Sequence, residues 1–402
     1  MNIFNKSWKR KYSVIWIGQT ISLFTSAILQ MSIVWYLTLK TNSAAVLSMA
    51  TLIGYLPGAL LGLFIGTFID RHSHKKTMIV ADLFIAFVGL ILAVVSFFQE
   101  LPIWLIMVVL LLRSIGSAFH YPALLATTPS LVPQEKLTKF SGISQSLESL
   151  SMVLSPALAG VLFSLFNLTY IIFLDVIGAF IAVLALMVVE IPKVIRTIEK
   201  TSFIKDTIDG FKELKRVKGM LALMIIGALY AIIYFPIGTL YPFITMEYFK
   251  GTISQSGIVE TLFSVGTLIG SLFIGLMGEK IAKIPAMITS IFVYGLGVLI
   301  TGLLPQEGML IFMVISLIIG IFVPLHSSIE IAIFQINFKQ EYLGRIFSLS
   351  SSVLTFTMPI GLILAGALVD KIGINVFFMI AGILSIGLSI LTLSIPSLRK
   401  LK

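Results

Sequence analysis

Cysteine is absent from the chain, and only 11% of the residues are charged. The lack of cysteine excludes disulfide bonds and thiolate chemistry. The lack of charge excludes a soluble globular fold, because too few polar residues remain to cover an apolar core in water. Hydrophobic residues instead make up 58% of the chain, and its mean hydropathy is +1.06. A lipid bilayer solvates such a composition, so the sequence predicts an all-α membrane protein that crosses the bilayer many times.

Motifs typical of enzymes and channels are also missing. The sequence has no His/Glu metal-binding motif, no Gly-rich phosphate loop that ends in Lys, and no nucleophile elbow. It shows no repeated filter of carbonyl groups or charged rings, which would indicate a channel. We therefore expect neither an enzyme nor a bound cofactor or metal. The net charge of +10 is explained by positive residues beside cytoplasmic helix ends rather than by nucleic-acid binding.

Apolar runs long enough to cross a bilayer recur about twelve times along the chain. The first run, from Tyr12 to Leu39, is too long for a signal peptide and is interpreted as a retained helix. Short polar links make neighbouring helices antiparallel. The predicted spans are residues 12–39, 45–69, 77–98, 102–125, 140–164, 168–190, 219–243, 256–277, 284–304, 309–331, 346–369 and 373–395.

Lysine and arginine are distributed unequally between the two sides of these spans. Of the 28 Lys and Arg residues, 24 fall in the two tails and in every second link, and three fall in the other links. The remaining one, Arg113, lies inside a span. Because cytoplasmic loops carry the excess of positive charge, we expect both termini to be cytoplasmic.

The two halves of the chain repeat each other. Leu63–Gly66, near the end of the second span, recurs as Leu272–Gly275 near the end of the eighth. An acid and a base follow each copy, as Asp70-Arg71 and as Glu279-Lys280. Two parallel six-helix halves are typical of the major facilitator fold. We therefore predict an N-terminal bundle over residues 1–192, a linker over 193–218 and a C-terminal bundle over 219–402.

Prolines support the repeat, since equivalent spans carry them at similar places. They are expected to bend the helices in which they lie. The prolines are Pro122 and Pro324 in spans 4 and 10, and Pro156 and Pro359 in spans 5 and 11. His120 and His326 lie near two of these prolines and are interpreted as structural.

The central linker has the pattern of an amphipathic helix. Ile204, Ile208, Phe211 and Leu214 recur at helical spacing, and charged residues occupy the other faces. Such a helix lies at the cytoplasmic membrane interface and joins the two halves.

The link between spans 2 and 3 carries a signature. Gly66–Lys76 resembles the Gly-x-x-x-Asp-Arg-x-Gly-Arg-Lys loop of the major facilitator family, with Ser73 and His74 in place of its second Gly and its Arg. An acid at a helix end can pair with cations of a neighbouring helix and hold the cytoplasmic side closed. A solvated cluster that only sets orientation is the alternative. The expected gate residues are Asp70, Arg71, Lys75, Glu279, Lys280 and Arg345.

Ionisable residues inside spans point to function, because burying charge in lipid is costly. Arg113 lies about 17 Å deep at 1.5 Å per residue, so it must face a partner or water. Glu148 lies on a serine-rich stripe of span 5, where small-residue packing does not require a carboxylate. An acid that alternates between apolar surroundings and a guanidinium can take up and release a proton. We expect Glu148 with Arg113 to couple protons, with Asp82 and Asp175 as alternatives and a structural ion pair as the competing interpretation.

Polar stripes on spans 1, 5 and 11 predict the walls of a substrate cavity, because such faces must contact protein or water. Interhelical hydrogen bonds between small residues are the simpler interpretation of the serines. Span 7 adds tyrosines that can stack on a bulky amphipathic ligand. An aromatic belt at the outer interface is the alternative, and it suits Tyr241 best. The expected cavity residues are Gln19, Ser22, Ser26, Gln30, Ser144, Ser151, Tyr230, Tyr234, Ser352 and Thr355.

Several segments resemble the macrolide-efflux permeases of the major facilitator superfamily, and the similarity covers essentially the whole chain. They are Trp8–Lys11, Ser26–Met31, Val46–Ala50, Arg113–Gly116, Glu341–Arg345 and Met358–Leu364. The resemblance implies a bacterial inner-membrane exporter that exchanges inward protons for outward drug, with macrolides as the expected substrate. We expect the protein to function as a monomer. The alternative is a transporter of the same fold that carries a siderophore, a lipid or a nutrient.

Overall fold

The computed structural model describes residues 4–133, 136–191, 211–277 and 281–398. Every regular element within these ranges is a helix. The helices of 20 residues or more are α1 (Phe4–Thr41), α2 (Ala44–Arg71), α3 (His74–Phe98), α4 (Ile103–Leu131), α5 (Leu137–Leu165), α6 (Leu168–Val188), α7 (Met220–Thr239), α8 (Ile253–Met277), α9 (Lys283–Leu303), α10 (Met309–Asn337), α11 (Gln340–Ile372) and α12 (Ile374–Ser394). Between α7 and α8 the chain forms one short α-helical turn, Tyr241–Phe243, and a π-helical turn, Ile244–Tyr248.

Ten of these helices are long and apolar enough to cross a membrane, namely α1, α3, α4 and α6 to α12. Helices α2 and α5 contain shorter apolar stretches, Ala44–Gly58 and Val153–Leu165. Most helices extend beyond the expected spans, because an α-helix satisfies its own backbone hydrogen bonds in lipid and in water alike. The all-helical membrane fold predicted from composition is therefore confirmed.

The chain divides into two compact units. The first comprises Met1–Leu37 and Ala50–Glu199, and within it α3 packs against α4 and α6. The second comprises Thr38–Met49 and Lys200–Lys402. Within the second unit, α8 packs against α10, α9 packs against α10 and α12, and α7 packs against α11. The expected boundaries of the two bundles stay a prediction.

Glycines allow α8 and α10 to approach closely. A Cβ atom at Gly266 would fall on the carbonyl oxygen of Leu317, and one at Gly270 would fall on that of Ile321. The two glycines lie four residues apart on one face of α8. In lipid, where no hydrophobic effect drives helices together, such close backbone packing is a main source of association.

The four prolines expected to bend helices stand inside continuous ones. Pro122 lies in α4, Pro156 in α5, Pro324 in α10 and Pro359 in α11. Each helix continues past its proline, so the proline removes one backbone hydrogen bond without ending the helix. The bend itself stays a prediction.

Part of the central linker is described. Ile204 and Ile208 lie outside the described residues, whereas residues 211–216 are helical. Leu214 is fully buried, while Phe211 is exposed and carries the Lys215 ammonium 4.5 Å from its ring centroid. The pattern places both residues on the apolar face, so within the described end of the linker only Leu214 is buried as that face predicts.

Candidate functional site

A buried ion pair lies in the first unit. The guanidinium of Arg113, on α4, approaches the carboxylate of Asp175, on α6, with Nη1 and Oδ2 2.5 Å apart. Ser26, on α1, donates a hydrogen bond from Oγ to the other carboxylate oxygen at 2.6 Å. Gly89 on α3 leaves room for the guanidinium, since a Cβ there would lie 3.6 Å from Nη1. Four helices therefore enclose one pair of opposite charges, and each charge offsets the cost of burying the other.

Arg113 and Glu148, the two residues expected to couple protons, contact different partners, and their joint role stays a prediction. Glu148 is half-buried on α5 and accepts a hydrogen bond from the Tyr121 hydroxyl of α4 at 3.2 Å. Tyr121 follows Arg113 by eight residues, which turns the two side chains about 80° apart around α4. The sequence gives the depth of each residue along its helix. Whether two residues touch also depends on the direction in which each side chain points around its helix axis.

Asp82 has surroundings different from those of Asp175. On α3 it accepts a hydrogen bond from Gln19 Nε2 of α1 at 3.3 Å, and His120 Nε2 of α4 lies 3.2 Å from its other oxygen. All three side chains are buried. Imidazole and carboxylate in contact can share one proton, whereas the guanidinium beside Asp175 keeps its own. His120, interpreted from the sequence as structural, thus contacts one of the expected proton carriers.

The polar residues of the predicted stripes on α1 and α5 have different surroundings. Ser144 on α5 contacts the Tyr12 hydroxyl of α1 at 2.8 Å and donates to a carbonyl of its own helix, which agrees with interhelical packing. Ser22 is buried, and Gln30 is exposed. Ser151 is also buried, and its hydroxyl has no hydrogen-bond partner among the described residues. The role of Ser151 in a substrate cavity stays a prediction.

Tyrosines of the second unit form an aromatic cluster. The rings of Tyr230 and Tyr234, both on α7, stack with centroids 5.7 Å apart. Tyr230 also stacks on His326 of α10 at 4.4 Å and meets the edge of Tyr294 of α9 at 5.4 Å. The two expected tyrosines therefore come together, and two further rings join them.

The aromatic-belt interpretation of Tyr241 is wrong. The ring is 3% exposed and packs against Phe263, Phe312 and Phe378. The short α-helical turn that contains Tyr241 and the π-helical turn after it both lie against α8, and the π-helical turn also contacts α12.

The expected gate residues are only partly described. Asp70 and Arg71 form the end of α2, and Glu279 and Lys280 lie outside the described residues. Lys75 donates hydrogen bonds from Nζ to the carbonyl oxygens of Met187 at 3.1 Å and Val189 at 2.8 Å. A cation at the carboxyl end of α6 is favourable because that end carries the negative pole of the helix dipole.

Ser73 explains why the signature loop tolerates the loss of its second glycine. The residue caps the start of α3 with φ of −70° and ψ of 116°, and its hydroxyl accepts from the backbone N–H of Lys76 at 3.5 Å. This conformation needs no positive φ, and serine adds a capping acceptor that glycine lacks.

Helix α11 carries the remaining expected residues. Arg345, Ser352 and Thr355 are all half-buried. Ser352 and Thr355 lie three residues apart and share one face of the helix, as the stripe predicts.

Residues 7–401 match the model of a protein family described as transmembrane secretion effector. The chain belongs to this family of major facilitator transporters. Macrolide efflux protein A of Streptococcus pyogenes is 48% identical over 397 residues, which cover 98% of both chains. The staphyloferrin A transporter of Staphylococcus aureus is 25% identical over 93% of both chains. The solved structure of the nucleoside transporter NupG superposes with a TM-score of 0.77 at 13% identity, covering 98% of this chain and 100% of that one, and so shows the fold.

Membership of a transmembrane secretion effector family identifies a multi-pass transporter and agrees with the resemblance found in the sequence. The described residues hold no group of three or more His, Asp or Glu side chains that could bind a metal ion.

Sequence reasoning did not single out Tyr294 or Asp370. Tyr294 of α9 joins the aromatic cluster. Asp370, at the end of α11, accepts hydrogen bonds from the Ser43 hydroxyl at 2.6 Å and the Ala44 backbone N–H at 2.8 Å. Ser43 directly before an apolar helix is a recognisable capping signal, but nothing in the sequence indicates that an acid 327 residues later completes the cap.

Proposed function

We propose that the protein is a proton-coupled exporter of macrolide-like or other amphipathic drugs in the bacterial cytoplasmic membrane, and that it works by alternating access. The observation that carries this proposal is the 48% identity with macrolide efflux protein A over 98% of both chains. Because the alignment covers nearly all of both chains, every large segment of the relative has a counterpart in this chain. The alternative is a transporter of another small molecule. It rests on the 25% identity with the staphyloferrin A transporter, and we rank it below macrolide export because that identity is lower.

The proposed topology has twelve spans in two six-helix bundles. Helices α2 and α5 would then cross the membrane with the other ten, because each is 28 or 29 residues long and ends in short links. The distribution of Lys and Arg supports cytoplasmic termini. We take the monomer as the functional unit.

The proposed proton carriers are Glu148 and Asp82. Glu148 is half-buried beside a neutral hydroxyl, and Asp82 contacts an imidazole, so either carboxylate can gain a proton without stranding an opposite charge. Arg113 and Asp175 supply a fixed charged environment nearby. The gate around Asp70, Arg71 and Arg345 remains part of the proposal.

Counter-transport in vesicles tests the proposal. In vesicles with an acid interior, protons that leave through the purified protein should drive accumulation of a macrolide inside against its gradient, and a protonophore should abolish this accumulation. Glu148→Gln should weaken coupled transport strongly while leaving folding intact, whereas Glu307→Gln, an exposed acid in the link after α9, should transport as wild type. A susceptibility panel in a pump-deficient host extends the comparison to other drugs.

Two outcomes decide the matter. Full coupled transport by Glu148→Gln dismisses Glu148 as the carrier and leaves Asp82, to be tested in the same way as Asp82→Asn. Macrolide export that is indifferent to the protonophore rejects proton coupling altogether.

A further inference from the structure

A groove on the surface of the first unit lies between α2, α3 and α4. Phe68 of α2 and Phe119 of α4 line it with their ring centroids 5.3 Å apart, and Val80 and Phe84 line it from α3. Because Val80 is 66% exposed and Phe84 is also exposed, the groove opens on the outside of the helices. Its volume is about 410 Å³, within the range of about 300–1,000 Å³ that is usual for small-molecule sites, and its lining is almost entirely apolar.

The polar side chains that line this groove all lie at one end of it. They are His72 and Ser73, in the link before α3, and Lys76 and Thr77, in the first turn of α3. None of the described lining residues is acidic. The distribution of Lys and Arg predicts that this end faces the cytoplasm, and the dipole of α3 has its positive pole here. The polar end of the groove therefore favours a negatively charged group.

Lys76 and His72 both have atoms that a ligand can use. Lys76 is exposed and takes part in none of the ion pairs within the described ranges, whereas its neighbour Lys75 binds carbonyl groups at the end of α6. The His72 ring stacks on Phe68 at 4.0 Å, and its Nδ1 atom donates a hydrogen bond to the Phe68 carbonyl oxygen at 2.8 Å. Because a carbonyl oxygen only accepts, Nδ1 carries a proton, and Nε2 is the ring nitrogen left for a ligand.

The length of the groove matches one leaflet of a bilayer. From its first residue, His74, to Phe84, α3 rises about 15 Å at 1.5 Å per residue. The hydrocarbon core of a bilayer is about 30 Å thick, so one leaflet contributes about half of this length. A basic end at the membrane interface, followed by an apolar groove as long as one leaflet, complements a charged headgroup joined to an acyl chain.

We propose that this groove binds an anionic phospholipid of the cytoplasmic leaflet. The Lys76 ammonium pairs with the phosphate, His72 Nε2 accepts a hydrogen bond from a headgroup hydroxyl, and an acyl chain lies along Val80 and Phe84. A zwitterionic phospholipid gains less from Lys76, because its own cation offsets the charge of its phosphate. The inference goes beyond the proposed drug export and uses none of the expected gate residues.

Binding of single lipids to the full-length protein in detergent, followed by native mass spectrometry, tests the proposal. The probes are phosphatidylglycerol, which is anionic and carries headgroup hydroxyls, and phosphatidylcholine with the same acyl chains. Lys76→Gln should weaken binding of the first phosphatidylglycerol by about fivefold and leave phosphatidylcholine unchanged, whereas Lys76→Arg should bind both as wild type. Lys136→Gln is the matched control, since it removes an exposed lysine directly before α5 of the same unit and outside the groove.

A second variant tests the apolar part of the groove. Thr77→Phe places a ring inside the groove without a change of charge, so it should weaken binding of both lipids, because both insert an acyl chain. Val94→Phe adds a ring to an exposed position of α3 outside the groove, and it should leave the binding of both lipids unchanged.

Three results would overturn the proposal. Undiminished phosphatidylglycerol binding by Lys76→Gln, or an equal loss in Lys136→Gln, shows that lipids surround the protein without a specific headgroup site. Unchanged binding by Thr77→Phe shows that the groove does not hold the acyl chain. Displacement of phosphatidylglycerol by excess inorganic phosphate shows an anion site that requires no lipid. The measurement uses no drug and no proton gradient, so its result is independent of the proposed export.

Discussion

At the scale of single residues, the stability of the first unit depends on neutralising the buried charge of Arg113. A guanidinium cannot lose its proton at physiological pH, so its burial between helices requires an anion that stays charged. Asp175 meets that need, and the Ser26 hydroxyl satisfies its second oxygen. The same reasoning favours Asp82 over Asp175 as the proposed proton carrier, because the contacts of Asp82 with His120 and Gln19 include no cation that must stay charged.

The ion pair yields a double-mutant prediction. Asp175→Leu alone should destabilise the protein by about 3–5 kcal/mol, because it leaves a buried guanidinium unpaired. Arg113→Met combined with Asp175→Leu should recover most of that loss, since an apolar pair needs no desolvation. Thermal unfolding in detergent, followed by size-exclusion chromatography, measures both. Ser26→Ala serves as the reference for loss of one hydrogen bond, and a double variant no more stable than Asp175→Leu would contradict the interpretation.

At the scale of helices, charged side chains bind backbone groups at the ends of helices. Lys75 binds the last carbonyl groups of α6, and Lys11 approaches the Glu190 carbonyl oxygen at 3.4 Å just beyond them. Asp370 plays the opposite part at the amino end of α2, where it accepts from backbone N–H groups. Both arrangements place a charge opposite the pole of the helix dipole. They join elements far apart in sequence without burying an ion in lipid.

Packing of α8 against α10 gives the second prediction. Gly270→Ala should disrupt the contact, because even a Cβ atom at this position meets the backbone of Ile321, which cannot move aside as a flexible side chain can. We expect a large fall in melting temperature and in the yield of folded protein. Gly275→Ala is the matched control, because it lies in the same helix with nothing within 4 Å of its added Cβ. Similar behaviour of the two variants would show that the close approach does not stabilise the unit.

Helical periodicity and apolar length predicted the elements well, but not the partners of individual side chains. The spans, the stripe on α11 and the pairing of Tyr230 with Tyr234 all follow from spacing within one helix. The Arg113–Asp175 pair and the Asp370 cap depend on which helices become neighbours and on how each is rotated about its axis. One sequence gives depth along a helix and the face of a residue, but it does not say which helix that face meets.

At the scale of the whole molecule, orientation in the membrane rests on charge rather than on shape. Lys and Arg concentrate in the tails and in every second link, and acids are too few, at 18 against 28 basic residues, to balance them. We expect a chain with this distribution to retain its basic links in the cytoplasm during insertion, because moving them across the membrane is unfavourable. The same distribution implies that the links after α9 and after α10 face opposite sides.

The absence of cysteine makes that orientation directly measurable. Single substitutions Gln306→Cys, in the link after α9, and Lys339→Cys, in the link after α10, place one thiol at an exposed position in each. A membrane-impermeant maleimide added to intact cells should label Gln306→Cys fully, and Lys339→Cys only after permeabilisation. The unsubstituted chain is the control and should not react. Labelling of Lys339→Cys in intact cells would contradict the orientation inferred from the charge distribution.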